Sequence, residues 1–124
     1  LHPYFKVDPE KQSDMKSNLP GFDLTGRTWA PGEGSLITAR PQNGEHPWFT
    51  IPGVGKVTIL CDERFDTFVV WSKQTSDGKK EGYLCVEPWV GGVGAINDEN
   101  RRMLLAPGEE TSLSVAFIVK PESV

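Results

Sequence analysis

Apolar and polar positions alternate along Lys56–Cys61, with Val57, Ile59 and Cys61 on one face and Thr58 and Leu60 on the other. A period of two is the signature of a β-strand. Phe68–Trp71 is a short run of β-formers, apolar on both faces, as in a strand covered on both sides. Tyr83–Trp89 reads as a further strand. Thr111–Val119 reads as the longest, with Leu113, Val115, Phe117 and Val119 sharing a face. Asp62-Glu63-Arg64-Phe65 fits a turn, and Asp77-Gly78 is a turn signal within the polar stretch Gln74–Gly82.

The first third of the chain is punctuated by Pro9, Pro20, Pro31 and by Gly21, Gly26, Gly32 and Gly34. It predicts loops, with short strands near Gly21–Leu24 and Ser35–Ala39. No window has a 3.6 period, and Asp8–Ser17 has room for one helical turn after Pro9. Val90–Pro107, with Gly91, Gly92 and Gly94, has no strand pattern before Met103–Ala106. Loops of this length in compact domains are functional or disordered. Short strands between Gly/Pro turns predict an all-β fold, an antiparallel β-sandwich.

Composition narrows the function. The 124 residues are enough for one domain, and 13 glycines with 10 prolines suit a turn-rich β protein better than a helical bundle. A net charge of −4 argues against nucleic acid as partner, because phosphate binding wants clustered Lys and Arg. Apolar runs stop at four or five residues, far short of the roughly 20 that cross a bilayer, so no membrane partner is expected. No basic start is followed by an apolar run, so no signal peptide is visible. Cys61 and Cys85 lie in apolar alternating runs and read as free buried thiols, the alternative being a bridge between neighbouring strands. The missing signal and the thiols together predict a cytoplasmic location. No second Cys or His stands at metal-ligand spacing, so no zinc site is expected.

Three residues are candidates for proton chemistry. Glu87 lies in Tyr83-Leu84-Cys85-Val86-Glu87-Pro88-Trp89, on the same face as Tyr83, Cys85 and Trp89. A carboxylate at an apolar strand position is costly unless used or paired, and Pro88 ends the strand or puts it at an edge. A ring-flanked carboxylate followed by a glycine-rich loop suits a general base. The other reading is a glutamate on the solvent face of an edge strand. His2, in Leu1-His2-Pro3-Tyr4-Phe5, titrates near neutrality and is held extended by Pro3; the other reading is a ragged terminus. His46, in His46-Pro47-Trp48-Phe49, follows a plain turn and reads as solvated, with Trp48 and Phe49 as core or loop anchors.

The remaining motifs point to no chemistry. Gly91-Gly92-Val93-Gly94 lacks the Lys-Ser/Thr end of a phosphate loop. Asn97-Asp98-Glu99-Asn100 lacks calcium-ligand spacing, and Arg101-Arg102 reads as a solvated pair. No serine sits in a Gly-x-Ser-x-Gly context.

Taken in order, His2-Pro3-Tyr4-Phe5, Phe68-Val69-Val70-Trp71-Ser72, Leu84-Cys85-Val86-Glu87-Pro88-Trp89 and Leu104-Leu105-Ala106-Pro107-Gly108-Glu109 resemble the aldose 1-epimerase (galactose mutarotase) family. The resemblance is greatest to its compact branch of glucose-6-phosphate 1-epimerase-like proteins, and it runs from residue 1 to about residue 119. It implies a large antiparallel β-sandwich of the galactose mutarotase type. It also implies a carbohydrate isomerase that interconverts α and β anomers without metal or cofactor. The family's histidine-x-Tyr-Phe motif places the general acid at His2, and its late-strand glutamate places the general base at Glu87. Trp89 and Tyr83 would offer apolar faces to the sugar, with Trp71 in the core.

The family carries an arginine and usually a histidine before its first motif, where this chain has only Leu1. Its mid-fold aspartate matches no residue here. The chain is therefore expected to be either a single domain over 1–124 or the C-terminal part of a larger sandwich. In the second case it pairs with an N-terminal segment or with itself. The expected partner is a monosaccharide or sugar phosphate. The alternative function is a non-catalytic carbohydrate-binding sandwich. Glycoside hydrolysis, which needs two flanking carboxylates, has only Glu87 in support.

Overall fold

The alternating segments pair into two antiparallel sheets. The computed structural model describes residues 1–31 and 34–123. Among them are seven strands: β1 (Tyr4–Lys6), β2 (Leu36–Ala39), β3 (Trp48–Ile51), β4 (Gly55–Cys61), β5 (Phe65–Trp71), β6 (Tyr83–Val90) and β7 (Val115–Pro121). One sheet has the order β1-β6-β5-β2 and the other β3-β4-β7. Among the described residues, helix is confined to two short 3-10 segments, Pro9–Asp14 and Ala95–Asn97. The fold is all-β and sandwich-like. Among the described residues no helix is long and apolar enough to cross a membrane.

Period-two alternation decides what each sheet buries. Phe68 and Val70 of β5 and Leu84 and Val86 of β6 face Phe49 and Ile51 of β3 and Val57 and Ile59 of β4 across one core. Phe5 of β1 is wedged edge-on between Phe49 and Phe117, with ring centroids 4.9 and 5.4 Å away. Each fully buried side chain of this size stabilises the fold by roughly 1.5–3 kcal/mol relative to exposure.

The irregular first third seals the side of this core. Met15, Leu19, Leu24 and Trp29 are all buried. The expected strand at Gly21–Leu24 is absent. The Phe22 N–H donates to Leu19 O and the Arg27 N–H to Leu24 O (both 3.1 Å), so turns drive leucines inward where a ladder would have exposed every second one. The helical turn after Pro9 is the 3-10 segment, capped by Asp8 Oδ1 accepting from the Glu10 N–H. Gln12 on that segment is buried and fully bonded. Its Oε1 accepts from Trp29 Nε1 (2.9 Å), and its Nε2 donates to Tyr83 O, Glu81 O and Ser72 Oγ.

The last strand also departs from expectation. β7 begins at Val115, not Thr111, because the preceding residues are claimed by the β4–β5 turn. Arg64 donates to Thr111 Oγ1 (2.7 Å) and Ser112 O (2.6 Å), and the Asp62 N–H donates to Ser114 O (3.1 Å). Val115 and Phe117 pack against the core, whereas Leu113 and Val119, read as sharing their face, are exposed. Met103–Ala106 forms no strand.

Candidate functional site

The outer face of the first sheet carries the candidate residues, and strand register puts them there. In the β1–β6 ladder Tyr4 stands opposite Cys85 and Phe5 opposite Leu84. Continuing that antiparallel register by two residues sets His2 opposite Glu87. On the other side of β6, Val69 faces Glu87 and Trp71 faces Cys85. β2 then brings Ile37 beside Val69. Residues 85 apart in sequence thus share one face with period-two neighbours.

His2 Nε2 lies 3.2 Å from Glu87 Oε1. The other carboxylate oxygen, Oε2, accepts from Trp89 Nε1 at 3.0 Å. Glu87 is therefore held at both oxygens, and its side chain is only 6% exposed against 49% for His2. A carboxylate this buried is tolerable because charge-assisted donors replace its water. The His2 ring stacks on Tyr4 at 4.8 Å between centroids and meets Trp71 edge-on at 6.1 Å.

Around the pair is an open cleft of about 290 Å³ walled by Ile37, Val69, Trp71, Trp89 and Val93. A larger hollow of about 570 Å³, lined by Asp8, Glu10, Lys79 and Lys80 among others, has mixed charge and no buried titratable pair. Chemistry, not volume, places the candidate site at His2 and Glu87.

Of the expected aromatic contacts, Trp89 lines the cleft, but its N–H is engaged by Glu87. Tyr83 shares the face yet lies behind the cleft, edge-on to Tyr4 at 5.1 Å and tilted against Trp71 at 6.1 Å. Burial pushes its hydroxyl pKa up, with smaller contributions from Cys85, Tyr4 and Glu81. Trp71, expected in the core, is half-buried, touches the core cluster and also walls the cleft. Its run is apolar on both faces, so alternation alone did not say which side it takes. Ile37, Val69 and Val93 were legible only as generic β-formers.

The long connection after β6 closes one end of the cleft. Gly91, at φ 76°, donates its N–H to Asp66 Oδ1 at 3.0 Å. Arg101 is exposed, as expected, and it also clamps this loop. Its Nε meets Asp98 Oδ2 at 2.7 Å, and its Nη1 donates to Gly91 O and Val93 O. Arg102 is also engaged, 3.7 Å from Glu99. His46 is exposed, as expected. Trp48 and Phe49 lie on β3, Phe49 in the core and Trp48 beneath Lys56 Nζ at 4.3 Å.

Both cysteines are free. Burial raises the Cys61 thiol pKa, partly offset by Arg40, whose Nη1 lies 3.5 Å from the sulfur. Burial pushes the Cys85 thiol to about 11, the Glu87 charge adding to the rise. Local spacing in the sequence shows no metal-ligand set, and folding adds neighbours that spacing does not reach. His2, Cys85 and Glu87 bring three donor atoms within 4.8 Å of one another. Comparison of the chain with known protein families, curated proteins and solved structures returned no match.

Proposed function

We propose that this face is a sugar site and that His2 and Glu87 form the acid–base pair of an anomer-interconverting carbohydrate isomerase, in line with the motif resemblance to the aldose 1-epimerase family. The observation that carries the reading is the 3.2 Å pairing of a half-exposed histidine with a buried carboxylate in an aromatic-walled cleft. Glu87, anchored by Trp89, takes the proton of the anomeric hydroxyl. His2 gives a proton to the ring oxygen. The ring opens, the C1–C2 bond rotates, and closure on the other face returns both protons. No sugar fits between groups 3.2 Å apart, so the sugar must displace His2, the more exposed partner, outward from Glu87. That leaves base and acid on opposite sides of the ring. The two free thiols accord with a reducing, cytoplasmic location.

The test is the decay of optical rotation of fresh α-D-glucose, and of glucose-6-phosphate, with and without the protein. Acceleration is expected, falling by about 10²–10⁴-fold in Glu87→Gln, the range for loss of a general base. Undiminished acceleration in Glu87→Gln overturns the role of Glu87.

The 3.2 Å contact also favours a second reading, a non-catalytic carbohydrate-binding face, because the two groups satisfy one another. Exposed Tyr4, with Trp71 and Trp89, would then serve as stacking surfaces. Calorimetric sugar binding without acceleration of mutarotation supports this reading over the first.

A further inference from the structure

We propose that His2, Cys85 and Glu87 form a binding site for a thiophilic divalent cation, Zn²⁺ or its probe Co²⁺. One donor atom from each lies within 4.8 Å of the others. A tetrahedral Zn²⁺ with ligand bonds of about 2.0 Å to N and O and 2.3 Å to S needs N···O near 3.3 Å and S···N or S···O near 3.6 Å. His2 Nε2 and Glu87 Oε1 already stand at 3.2 Å. Cys85 Sγ has to close by no more than about 1.2 Å to complete the triangle.

The strands supply the arrangement. Cys85 and Glu87 are successive residues on one face of β6, and the segment just before β1 brings His2 to Glu87 while Tyr4 of β1 stands opposite Cys85. The Trp89 N–H occupies Glu87 Oε2 and leaves Oε1 for the cation, the kind of outer contact that orients a metal-bound carboxylate. Imidazole, thiolate and one carboxylate oxygen make a set that selects zinc-like ions over Mg²⁺ or Ca²⁺. Three protein ligands leave the fourth tetrahedral position open toward the cleft, for water.

Binding releases the thiol proton to solvent and takes up the Nε2 lone pair of His2. The buried neutral thiol costs nothing to keep in the cation's absence, and the ion's own charge offsets the burial that otherwise disfavours thiolate. If the acid–base reading above is right, the cation holds the same two atoms that reaction uses, and an occupied site is a silenced one. The binding site itself does not depend on that reading, and its test does not read activity.

The test titrates the reduced, metal-free chain with Co²⁺, followed by absorbance, and with Zn²⁺, followed by calorimetry. We expect one Zn²⁺ per chain and a near-ultraviolet thiolate-to-Co²⁺ band. Cys85→Ser should abolish the band, and Cys85→Ser and His2→Ala should each weaken Zn²⁺ at least tenfold. His46→Ala, at an exposed histidine off this face, should leave affinity unchanged, and circular dichroism should verify that each variant keeps the β fold. Affinities of Cys85→Ser and His2→Ala within twofold of the parent overturn the site, as does a Co²⁺ complex without the thiolate band.

Discussion

Gln12 links the first third of the chain to the sheet that carries the site, and its replacement gives the sharpest test of the packing described here. Its amide receives one buried hydrogen bond and makes three, two of them to backbone carbonyls at the start of β6 and just before it. In Gln12→Leu the shape is nearly kept, so cavity formation contributes little. Tyr83 O retains the Ser72 hydroxyl at 2.5 Å, and Glu81 is half-exposed and can turn to water. The Trp29 N–H is left buried without an acceptor, which costs about 1–3 kcal/mol. Burial of leucine offsets part of this, leaving a net loss of about 1–2 kcal/mol. Gln12→Ala adds a cavity and should lose about 3 kcal/mol or more. Urea unfolding followed by far-ultraviolet circular dichroism gives both values. If the orphaned indole is the cause, Gln12→Leu/Trp29→Phe should be less destabilised than the sum of its parts by about 1 kcal/mol. Strict additivity, or a Gln12→Ala loss below about 0.5 kcal/mol, refutes the reasoning.

Two further outcomes follow from the same geometry. Gly91→Ala should destabilise the protein more than Gly94→Ala in thermal melts. Both glycines have positive φ, about 1–3 kcal/mol of strain for alanine, but a Cβ at Gly91 would lie 2.4 Å from Arg101 O whereas Gly94 faces open space. The Cys85 thiol, raised from 9.0 to about 11 on folding, should make the protein lose stability as pH climbs from 9 toward 11, because the unfolded thiol ionises first. Stability measured at pH 7, 9 and 10.5 should therefore fall less steeply in Cys85→Ser than in the parent.

Alternation made β4 and β6 legible and an apolar run marked β5, whereas β1 and β3, which also build the core, were not read as strands. The inward set Val57 and Ile59, the turn at residues 62–65 and the shared face of Tyr83, Cys85, Glu87 and Trp89 were all readable, because a strand's side chains must alternate. Glu87 stood out because an apolar strand charges a high free-energy cost for a carboxylate. What the chain pattern did not contain was pairing. Only the β1–β6 register sets His2 against Glu87, and only the β5–β6 register turns Trp71 toward them. Gly21–Leu24 and Thr111–Ser114 look like strands locally, yet local turn bonds curl the first, and the distant Arg64 side chain and Asp62 N–H hold the second. Arg101 is exposed as its sequence context suggests, but only the folded loop presents Gly91 O and Val93 O to it. Local pattern sets which face a residue takes, whereas contacts between residues far apart in sequence set whom it meets, and the convergence of His2, Cys85 and Glu87 is of the second kind.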